Sequence, residues 1–350
     1  MTEGINASVV SGWLMANVEG LRPPFEFALI AGGRSNLTYA VTDGAGRRIV
    51  LRRPPISHVL PTAHDMGREH RIISALRDTP VPVPAALGYC ADEAVTGQPF
   101  YVMDFVDGYV LRGPAEAAAA LDEATRMKAG RDLVDVLVAI HRVRVDAIGL
   151  GDLARHDGYI ERQLRRWHRQ FGQSQQQARE VGVYRPVPLV DKVHDLLANR
   201  VPVQQGTALV HGDYRLDNTI VSADGRVQAV LDWELSTLGD ALADVGTLMA
   251  YWGSGREPGA VSDPLQLSAT VLPGFPSRAE VAARYAAQSG RDLTNLGFYV
   301  AFAQWKLACI GEGVFVRYAA NAMGTGGGDA AALRRGVEDR ARQALASLNS

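Results

Sequence analysis

Residues 25–53 alternate apolar and polar side chains with a period of two, the pattern of half-buried β-strands. Three such segments, FEFALIAGG, NLTYAVTDGAG and RRIVLRRPP, follow one another between residues 25 and 53, with glycines at the turns. A further segment, QPFYVMDF, ends at Val106-Asp107-Gly108. TPVPVPAALGYC is rich in proline, so we expect an extended connection there. Together these segments predict a small antiparallel sheet.

Apolar residues recur at helical spacing in most of the remaining chain. One helix is expected within the sheet region, over His64–Leu76. After residue 108 the pattern predicts helices over Pro114–Arg144, around 157–180 and 188–200, and through most of the chain beyond Asp240. A proline- and glycine-rich loop at 253–276 interrupts this last part, and three short strands are expected between 207 and 232.

The change from strand to helix patterns at residues 104–108 predicts an α+β protein with two lobes. We place a sheet-rich N-lobe at residues 1–105 and a mostly helical C-lobe at residues 106–350. A length of 350 residues also favours two lobes or domains.

Charge and composition exclude several classes of protein. The chain has 36 basic and 38 acidic residues, so no overall field attracts nucleic acid or an anionic membrane. Two cysteines, Cys90 and Cys309, cannot build a disulfide framework or a four-cysteine zinc site. The first residues resemble no signal peptide, and no apolar segment approaches the roughly 18 residues of a membrane-spanning helix. We therefore expect a cytoplasmic protein without nucleic-acid or membrane partners.

The strongest chemical signal is H-G-D-Y-R-L-D-N, His211–Asn218, followed by L-D-W-E, Leu231–Glu234. Asp213 and Asn218 lie in a loop between two predicted strands, and Asp232 ends the next hairpin, so their side-chain oxygens converge at one end of a small sheet. Phosphoryl transfer needs a carboxylate to orient and deprotonate a hydroxyl, and an amide and a second carboxylate to hold Mg²⁺. We predict Asp213 as the catalytic residue and Asn218 and Asp232 as metal ligands. A plain polar turn is the alternative.

These motifs resemble the aminoglycoside phosphotransferase and choline kinase family, whose fold is similar to that of protein kinases. The resemblance covers roughly residues 25–320 and is stronger to one branch, the phosphotransferase domains fused to acyl-CoA dehydrogenases. The segments that carry it are A-G-G-R-S-N-L-T-Y, V-L-R-R-P-P, R-E-H-R-I-I-S-A-L, F-Y-V-M-D-F-V-D-G and L-G-D-A-L-A-D-V-G. The resemblance implies a kinase-like fold that binds ATP and Mg²⁺ between its lobes.

The resemblance also implies where the nucleotide binds. The small-residue turn at 32–36 would cover the phosphates, with backbone N–H groups and a serine hydroxyl as donors. The segment ending in F-Y-V-M-D-F-V would be the hinge that offers an apolar slot and backbone groups to adenine. A hairpin turn and a simple buried strand are the alternatives. The residues implied at these two places are Gly33, Ser35, Asn36, Met103, Asp104 and Val106.

A basic residue on the third strand is implied to hold the nucleotide phosphates, with Glu69 on the following helix as its partner. Strand alternation places Arg52 on the face of Val50, and Arg53 on the opposite face. No lysine occurs in the first 127 residues, so arginine must take the place that lysine has in protein kinases. We predict Arg52 for this role; an exposed arginine at the strand end is the alternative.

Other polar residues near the motifs are expected to have structural roles. His211 should orient the catalytic loop by hydrogen bonds and not bind metal, because no second histidine or cysteine follows at ligand spacing. Asp240 and Asp244 precede or begin a helix and should brace the site. His141 lies on the apolar stripe of its helix, which predicts a buried, hydrogen-bonded histidine.

The acceptor is expected to bind in the helical lobe, where Trp252, Lys306 and Arg317 are candidate contacts. Residues 250–325 carry five acids and six bases, which does not favour a polycationic aminoglycoside. Lys306 and Arg317 are nearly in phase on a helix and could meet an anionic group. We therefore expect a neutral or anionic hydroxylated metabolite, for example a hydroxyacyl thioester. The alternatives are an aminoglycoside-type antibiotic phosphotransferase and a nucleotide-binding pseudokinase.

Overall fold

The computed structural model describes residues 4–31, 36–55, 65–253, 268–320 and 330–349. Five antiparallel strands form the N-terminal sheet in the order β1-β2-β3-β5-β4. The strands are β1 (Glu26–Ala31), β2 (Leu37–Thr42), β3 (Arg48–Arg53), β4 (Ala86–Cys90) and β5 (Phe100–Asp104). The segment expected as an extended connection therefore ends in a strand, because β4 satisfies its backbone groups by pairing with β5.

Two helices pack against this sheet. The predicted helix is present as α2 (Met66–Leu76), and the start expected at His64 lies outside the described residues. The sequence pattern did not indicate α1 (Ala7–Asn17), because its apolar side chains are spread around the helix. Only Val10 and Leu14 are buried in it, and they join the core on one face of the sheet.

Helices form most of the chain after Asp104. The predicted helix over Pro114–Arg144 is divided in two, because the Asp122 side chain accepts a hydrogen bond from the Thr125 N–H at 2.8 Å and begins a new helix. The short helix α3 (Glu93–Thr96) lies between β4 and β5. The helices after Asp104 are α4 (Pro114–Ala120), α5 (Glu123–Arg142), α6 (Tyr159–Glu180), α7 (Pro188–Ala198), α8 (Leu242–Tyr251), α9 (Arg278–Ser289), α10 (Leu296–Ala319) and α11 (Ala330–Ser347).

Two small ladders hold the motif residues between the lobes. They are formed by β6 (Ala208–Val210) with β9 (Thr237–Gly239), and by β7 (Thr219–Val221) with β8 (Val227–Val230). Only β9 was not predicted. The largest apolar core contains residues of both the sheet and the helices, including Val50, Tyr101 and Leu133. The lobes therefore share apolar contacts behind the site. Of the helices described, none combines the length and apolarity that crossing a membrane would require.

Candidate active site

The loop that follows β6 has a backbone shape that requires glycine. Gly212 has φ +88°, and a Cβ there would lie 2.7 Å from the Leu235 carbonyl oxygen. The Asp244 carboxylate on α8 accepts hydrogen bonds from the N–H groups of His211 at 2.7 Å and Gly212 at 2.8 Å. Lys306 donates from Nζ to the Gly212 carbonyl at 2.6 Å. Both polar groups of the Gly212 backbone are therefore held by buried charged side chains.

Asp244 is itself held by a buried histidine. His141 Nε2 lies 3.2 Å from Asp244 Oδ2, and its Nδ1 lies 2.7 Å from the Tyr285 hydroxyl. Burial alone would raise the pKa of Asp244, but His141, His211 and the Gly212 N–H lower it below its usual value. Asp244 therefore stays ionised, and His141 has the buried, hydrogen-bonded environment that its position on the helix predicts.

The His211 ring joins the loop to the next hairpin. Its Nδ1 accepts from the Asp213 N–H at 3.3 Å, which leaves the proton on Nε2 to be donated to the Leu231 carbonyl at 2.9 Å. Asn218 donates from Nδ2 to the Asp213 carbonyl at 2.8 Å and to Asp213 Oδ2 at 3.0 Å. The Asn218 side-chain oxygen is thereby left for another partner. The Asp213 side chain is 27% exposed, so a substrate can reach it.

Asp232 lies two residues after β8 in a left-handed conformation, with φ +64°, and no other non-glycine residue in the described part of the chain has a positive φ. Such strain is typical of functional positions. Carboxylate oxygens of Asp232, Glu69 and Glu234 all lie within 4.8 Å of one another. Glu234 belongs to the L-D-W-E segment and was not among the predicted metal ligands. The feature of the sequence that could have indicated this role is the position of Glu234 two residues after Asp232, across a turn.

Arg52 lies among these carboxylates. Its Nε is 3.1 Å from Glu69 Oε2, and its Nη2 hydrogen-bonds to Asp232 Oδ1. Burial raises the pKa of Glu69 to about 7, against the opposing effect of Arg52 and with support from Asp232. Arg53 lies on the other face of β3 and donates to the Gly4 carbonyl. The strand alternation that distinguished Arg52 from Arg53 is thus present in the structure.

Hydrogen bonds join helix α2 to the C-lobe, and they fix the position of Glu69 on this helix. Arg68 donates to the carbonyls of Ser236 at 2.8 Å and Leu153 at 3.3 Å. The Tyr101 hydroxyl donates to Glu69 Oε2 at 2.9 Å. The other Glu69 oxygen, Oε1, is buried and has no hydrogen-bond partner within the described residues.

An apolar cavity of about 290 Å³ lies between the sheet and β7–β8, with Arg52 and Asp232 also in its lining. Met103 and Val106 line it, as the hinge interpretation expects. The Val106 N–H has no backbone partner among the residues that the structure describes. The Asp104 N–H donates to the Ala85 carbonyl at 2.9 Å, so this group of Asp104 is already engaged.

The loop predicted to cover the phosphates is only partly described. Gly33 and Ser35 lie outside the described residues. Asn36 is buried and donates from Nδ2 to Glu234 Oε2 at 3.1 Å, so it connects the N-lobe to the carboxylate cluster.

The structure does not bring the expected acceptor contacts Trp252, Lys306 and Arg317 together in one site, and a role in acceptor binding stays a prediction. Trp252 is a core residue, 1% exposed, and donates from Nε1 to the Pro276 carbonyl at 2.8 Å. Lys306 is 7% exposed and faces the catalytic loop, whereas Arg317 is exposed near the end of α10. Eleven residues bring two side chains into phase but separate them by about 16 Å along the helix. The side of α10 that these two residues share is therefore covered at Lys306 and open to solvent at Arg317.

The arrangement matches a known class of enzyme. The profile of the phosphotransferase enzyme family matches residues 26–295. The chain therefore belongs to this phosphotransferase family, and its fold is kinase-like.

Comparison with individual proteins supports the same fold. A crystal structure from Ralstonia eutropha JMP134, provisionally assigned as an aminoglycoside phosphotransferase, has a TM-score of 0.78 and 30% identity, with 98% of each chain covered. Amicoumacin kinase hAmiN, in complex with AMP-PNP, Ca²⁺ and Ami, has a TM-score of 0.58 and 15% identity, with 97% of this chain and 94% of that chain covered. The two-lobed, protein-kinase-like α+β fold expected from the sequence is confirmed.

A curated relative is longer than this chain. Acyl-CoA dehydrogenase family member 10 of Mus musculus is 35% identical over 297 residues, which cover 84% of this chain. The match covers 27% of the mouse protein, so this chain corresponds to about a quarter of its length.

Proposed function

We propose that this enzyme transfers the γ-phosphoryl group of ATP, with Mg²⁺, to a hydroxyl of a neutral or anionic metabolite, for example a hydroxyacyl thioester. One observation carries the proposal: the Asp213–Asn218 pair and Asp232 lie at one end of the β7–β8 ladder, where Arg52 contacts Asp232. A general base, metal ligands and a cationic phosphate clamp are the parts that phosphoryl transfer requires.

The carboxylate cluster fits a hard divalent cation. Carboxylate oxygens of Glu69, Asp232 and Glu234 lie within 4.8 Å of one another beside the Arg52 guanidinium, so the cluster is rich in the oxygen ligands that such a cation prefers. Mg²⁺ prefers oxygen ligands and keeps several waters, so Asp232, Glu234 and the Asn218 side-chain oxygen would suffice to hold it. When bound, the metal neutralises charge on the nucleotide phosphates.

Asp213 would act as the general base. Its carboxylate is held by the Asn218 amide and remains open to the cleft, so it can orient an acceptor hydroxyl and accept its proton. Arg52 would stabilise phosphate charge from the sheet side, and Glu69 fixes its position. Asp244 and Lys306 hold the backbone next to Asp213, so the base is already in place before substrate binds.

The apolar cavity would bind the adenine base. Met103 contributes to an apolar slot, and the Val106 N–H, which has no backbone partner among the described residues, offers a donor to the base. The fold shared with amicoumacin kinase, whose complex contains AMP-PNP and Ca²⁺, supports a nucleotide and a divalent cation here.

The acceptor class is proposed from the relatives and from charge. The mouse relative is named as an acyl-CoA dehydrogenase family member, which favours an acyl thioester that carries a hydroxyl. The Ralstonia eutropha name favours an aminoglycoside. The near balance of acids and bases over residues 250–325 disfavours that polycation, which would need several carboxylates.

The test is ADP formation with ATP, Mg²⁺ and a panel of hydroxy acids, hydroxyacyl thioesters, choline and aminoglycosides. Asp213→Asn should abolish transfer and keep nucleotide affinity, whereas Asp232→Ala should lose the Mg²⁺-dependent part of nucleotide binding. Asp224→Asn, at the exposed far turn of the β7–β8 hairpin, is the matched control and should change neither. Nucleotide binding without phosphoryl transfer to any acceptor would indicate a pseudokinase and overturn the proposal.

A further inference from the structure

Side chains of the N-lobe contact the C-lobe members of the carboxylate cluster. Arg52 on β3 hydrogen-bonds through Nη2 to Asp232 Oδ1, and Asn36, just before β2, donates from Nδ2 to Glu234 Oε2 at 3.1 Å. Asp232 and Glu234 both follow β8 and belong to the C-lobe. Two donors of one lobe therefore hold two carboxylates of the other at the place where we propose that a metal binds.

Arg52 is also held from its other side. Its Nε lies 3.1 Å from Glu69 Oε2, the oxygen that accepts from the Tyr101 hydroxyl at 2.9 Å. The Arg52 side chain is 13% exposed and that of Glu69 is 1% exposed, so little water surrounds this pair. A guanidinium carries several N–H donors in a planar fork. The Nη2 group can therefore change its partner while Nε stays at Glu69.

Arg52 and a metal ion compete for Asp232. Both are cations that use the same carboxylate, and two cations at one carboxylate repel each other strongly where little water screens them. Asn36 likewise occupies one oxygen of Glu234. The contact between Arg52 and Asp232 therefore lowers the affinity of this carboxylate for a divalent cation.

The phosphates of a nucleotide would remove this competition. Arg52 and Asp232 both line the apolar cavity proposed for the nucleotide, so a phosphate at its end lies within reach of the guanidinium. Arginine binds phosphate with two parallel hydrogen bonds, a stronger arrangement than one contact with a carboxylate. When Nη2 contacts phosphate, the Asp232 carboxylate becomes available to the metal.

We infer that Arg52 makes divalent-cation binding conditional on the nucleotide, because its guanidinium holds Asp232 until phosphate oxygens replace that carboxylate as its partner. This inference rests on the proposed kinase function. Glu69 keeps the guanidinium in place during the exchange. Coupling between two ligands is reciprocal, so the metal must strengthen nucleotide binding through the same side chain.

The first experiment measures metal binding without nucleotide. Mn²⁺ is titrated into the protein, and the free ion is followed by electron paramagnetic resonance. Arg52→Met should bind Mn²⁺ about ten-fold or more tightly than the wild type, the scale of one charge-assisted contact. Arg53→Met, on the other face of β3, should bind it as the wild type does, because Arg53 contacts the Gly4 carbonyl. Equal affinity in the wild type and Arg52→Met would overturn the inference.

A second control separates the contact with Asp232 from the general effect of a nearby positive charge. The ion-pair partners of Arg215 in the described part of the chain are Asp213 at 3.5 Å and Asp217 at 3.0 Å. Arg215→Met should therefore increase Mn²⁺ affinity much less than Arg52→Met, and an equal gain would refute the inference. Adding Asp232→Asn to Arg52→Met should remove the gain. A gain that persists in this double variant would place the metal elsewhere and also refute it.

A further variant covers the case in which Arg52→Met does not fold. Arg52→Lys keeps a positive charge at Glu69 but offers a single nitrogen to the two carboxylates that Arg52 contacts. Circular dichroism and thermal unfolding show whether each variant is folded. Arg52→Lys should bind Mn²⁺ more tightly than the wild type, by a smaller factor than a folded Arg52→Met. An affinity equal to or below that of the wild type would count against the inference.

The last experiment measures the coupling from the side of the nucleotide. ADP binding is followed by calorimetry with Mg²⁺ and with EDTA, and the ratio of the two affinities gives the effect of the metal. Direct binding of Mg²⁺ by the phosphates contributes alike in all variants, so a ratio about ten-fold smaller in Arg52→Met than in the wild type isolates the role of Arg52. An unchanged ratio would refute the inference.

Failure of the proposed function gives different results. If Mg²⁺ has no effect on ADP binding by the wild type, the proposed metal site is wrong, and this inference is wrong with it. If the coupling depends on Arg52 but no acceptor is phosphorylated, the inference is supported and only the proposed transfer reaction is overturned.

Discussion

Replacing Asp244 by asparagine removes the carboxylate that holds the catalytic loop but keeps the size of the side chain. The carboxylate accepts at both oxygens: Oδ2 contacts the His211 N–H at 2.7 Å and His141 Nε2 at 3.2 Å, and Oδ1 contacts the Gly212 N–H at 2.8 Å. An amide has only one oxygen. In either orientation, its NH₂ group must face a backbone N–H that is already a donor.

The expected loss in the free energy of unfolding follows from these contacts. The variant loses one charge-assisted hydrogen bond, worth about 1.5–3 kcal/mol, and leaves a buried N–H unpaired at a further cost of about 1–3 kcal/mol. We expect the free energy of unfolding to fall by about 3–5 kcal/mol, the range for breaking a buried charged contact. Because the Gly212 backbone adjoins Asp213, kcat should fall as well.

Asp240→Asn is the matched control on the same segment. Asp240 accepts from the Leu242 N–H at 3.0 Å and from the Tyr299 hydroxyl at 2.7 Å. A hydroxyl can accept as well as donate, so asparagine can keep both contacts, and a loss of less than about 1.5 kcal/mol is expected. Urea unfolding followed by circular dichroism measures both variants.

The stabilising contribution of Asp244 depends on pH in a direction that its pKa shift defines. The fold lowers the pKa of Asp244 below its usual 3.8, so its stabilising contribution is present above that pH and is lost as the pH falls through the folded value. The stability difference between wild type and Asp244→Asn should therefore shrink as the pH falls below about pH 4. A difference under about 1 kcal/mol at pH 7, or an equal loss in Asp240→Asn, would refute this reasoning.

Three further predictions concern the cleft. Arg52→Ala should raise the KM for ATP about ten-fold or more. Arg53→Ala should lower the free energy of unfolding and leave the KM for ATP unchanged. Equal effects of the two variants on this KM would contradict the placement of the two arginines on opposite faces of β3. Lys306→Met should lower kcat with little change in the KM for ATP or for the acceptor, because the buried Gly212 carbonyl loses its donor. A rise in the acceptor KM alone would instead indicate that Lys306 binds the acceptor. Met103→Trp should fill the apolar cavity and raise the KM for ATP while the Mg²⁺ requirement stays the same; an unchanged KM would place the nucleotide elsewhere.

Local rules explain why part of the site was predictable. Strand alternation has a period of two, so the sequence placed Arg52 and Arg53 on opposite faces without knowledge of their neighbours. The spacing of Asp213 and Asn218 within one loop likewise left few arrangements, and the two side chains are hydrogen-bonded. Glycine at 212 was part of the motif, but the reason for it, the approach of Leu235, lies 23 residues along the chain.

The sequence by itself determined the two-lobed α+β organisation, the strand faces and the loop that carries Asp213, because each depends on short-range periodicity or spacing. Only the tertiary structure decided which side chains of α10 are buried. Helical phase fixes the direction in which a side chain leaves the helix, but not what surrounds it at a given position along the axis. Lys306 and Arg317 therefore share one side of α10, where the first is buried and the second is exposed. Tertiary packing likewise decided the place of Glu234, because Glu69, on a distant segment of the chain, lies beside it only in the folded protein.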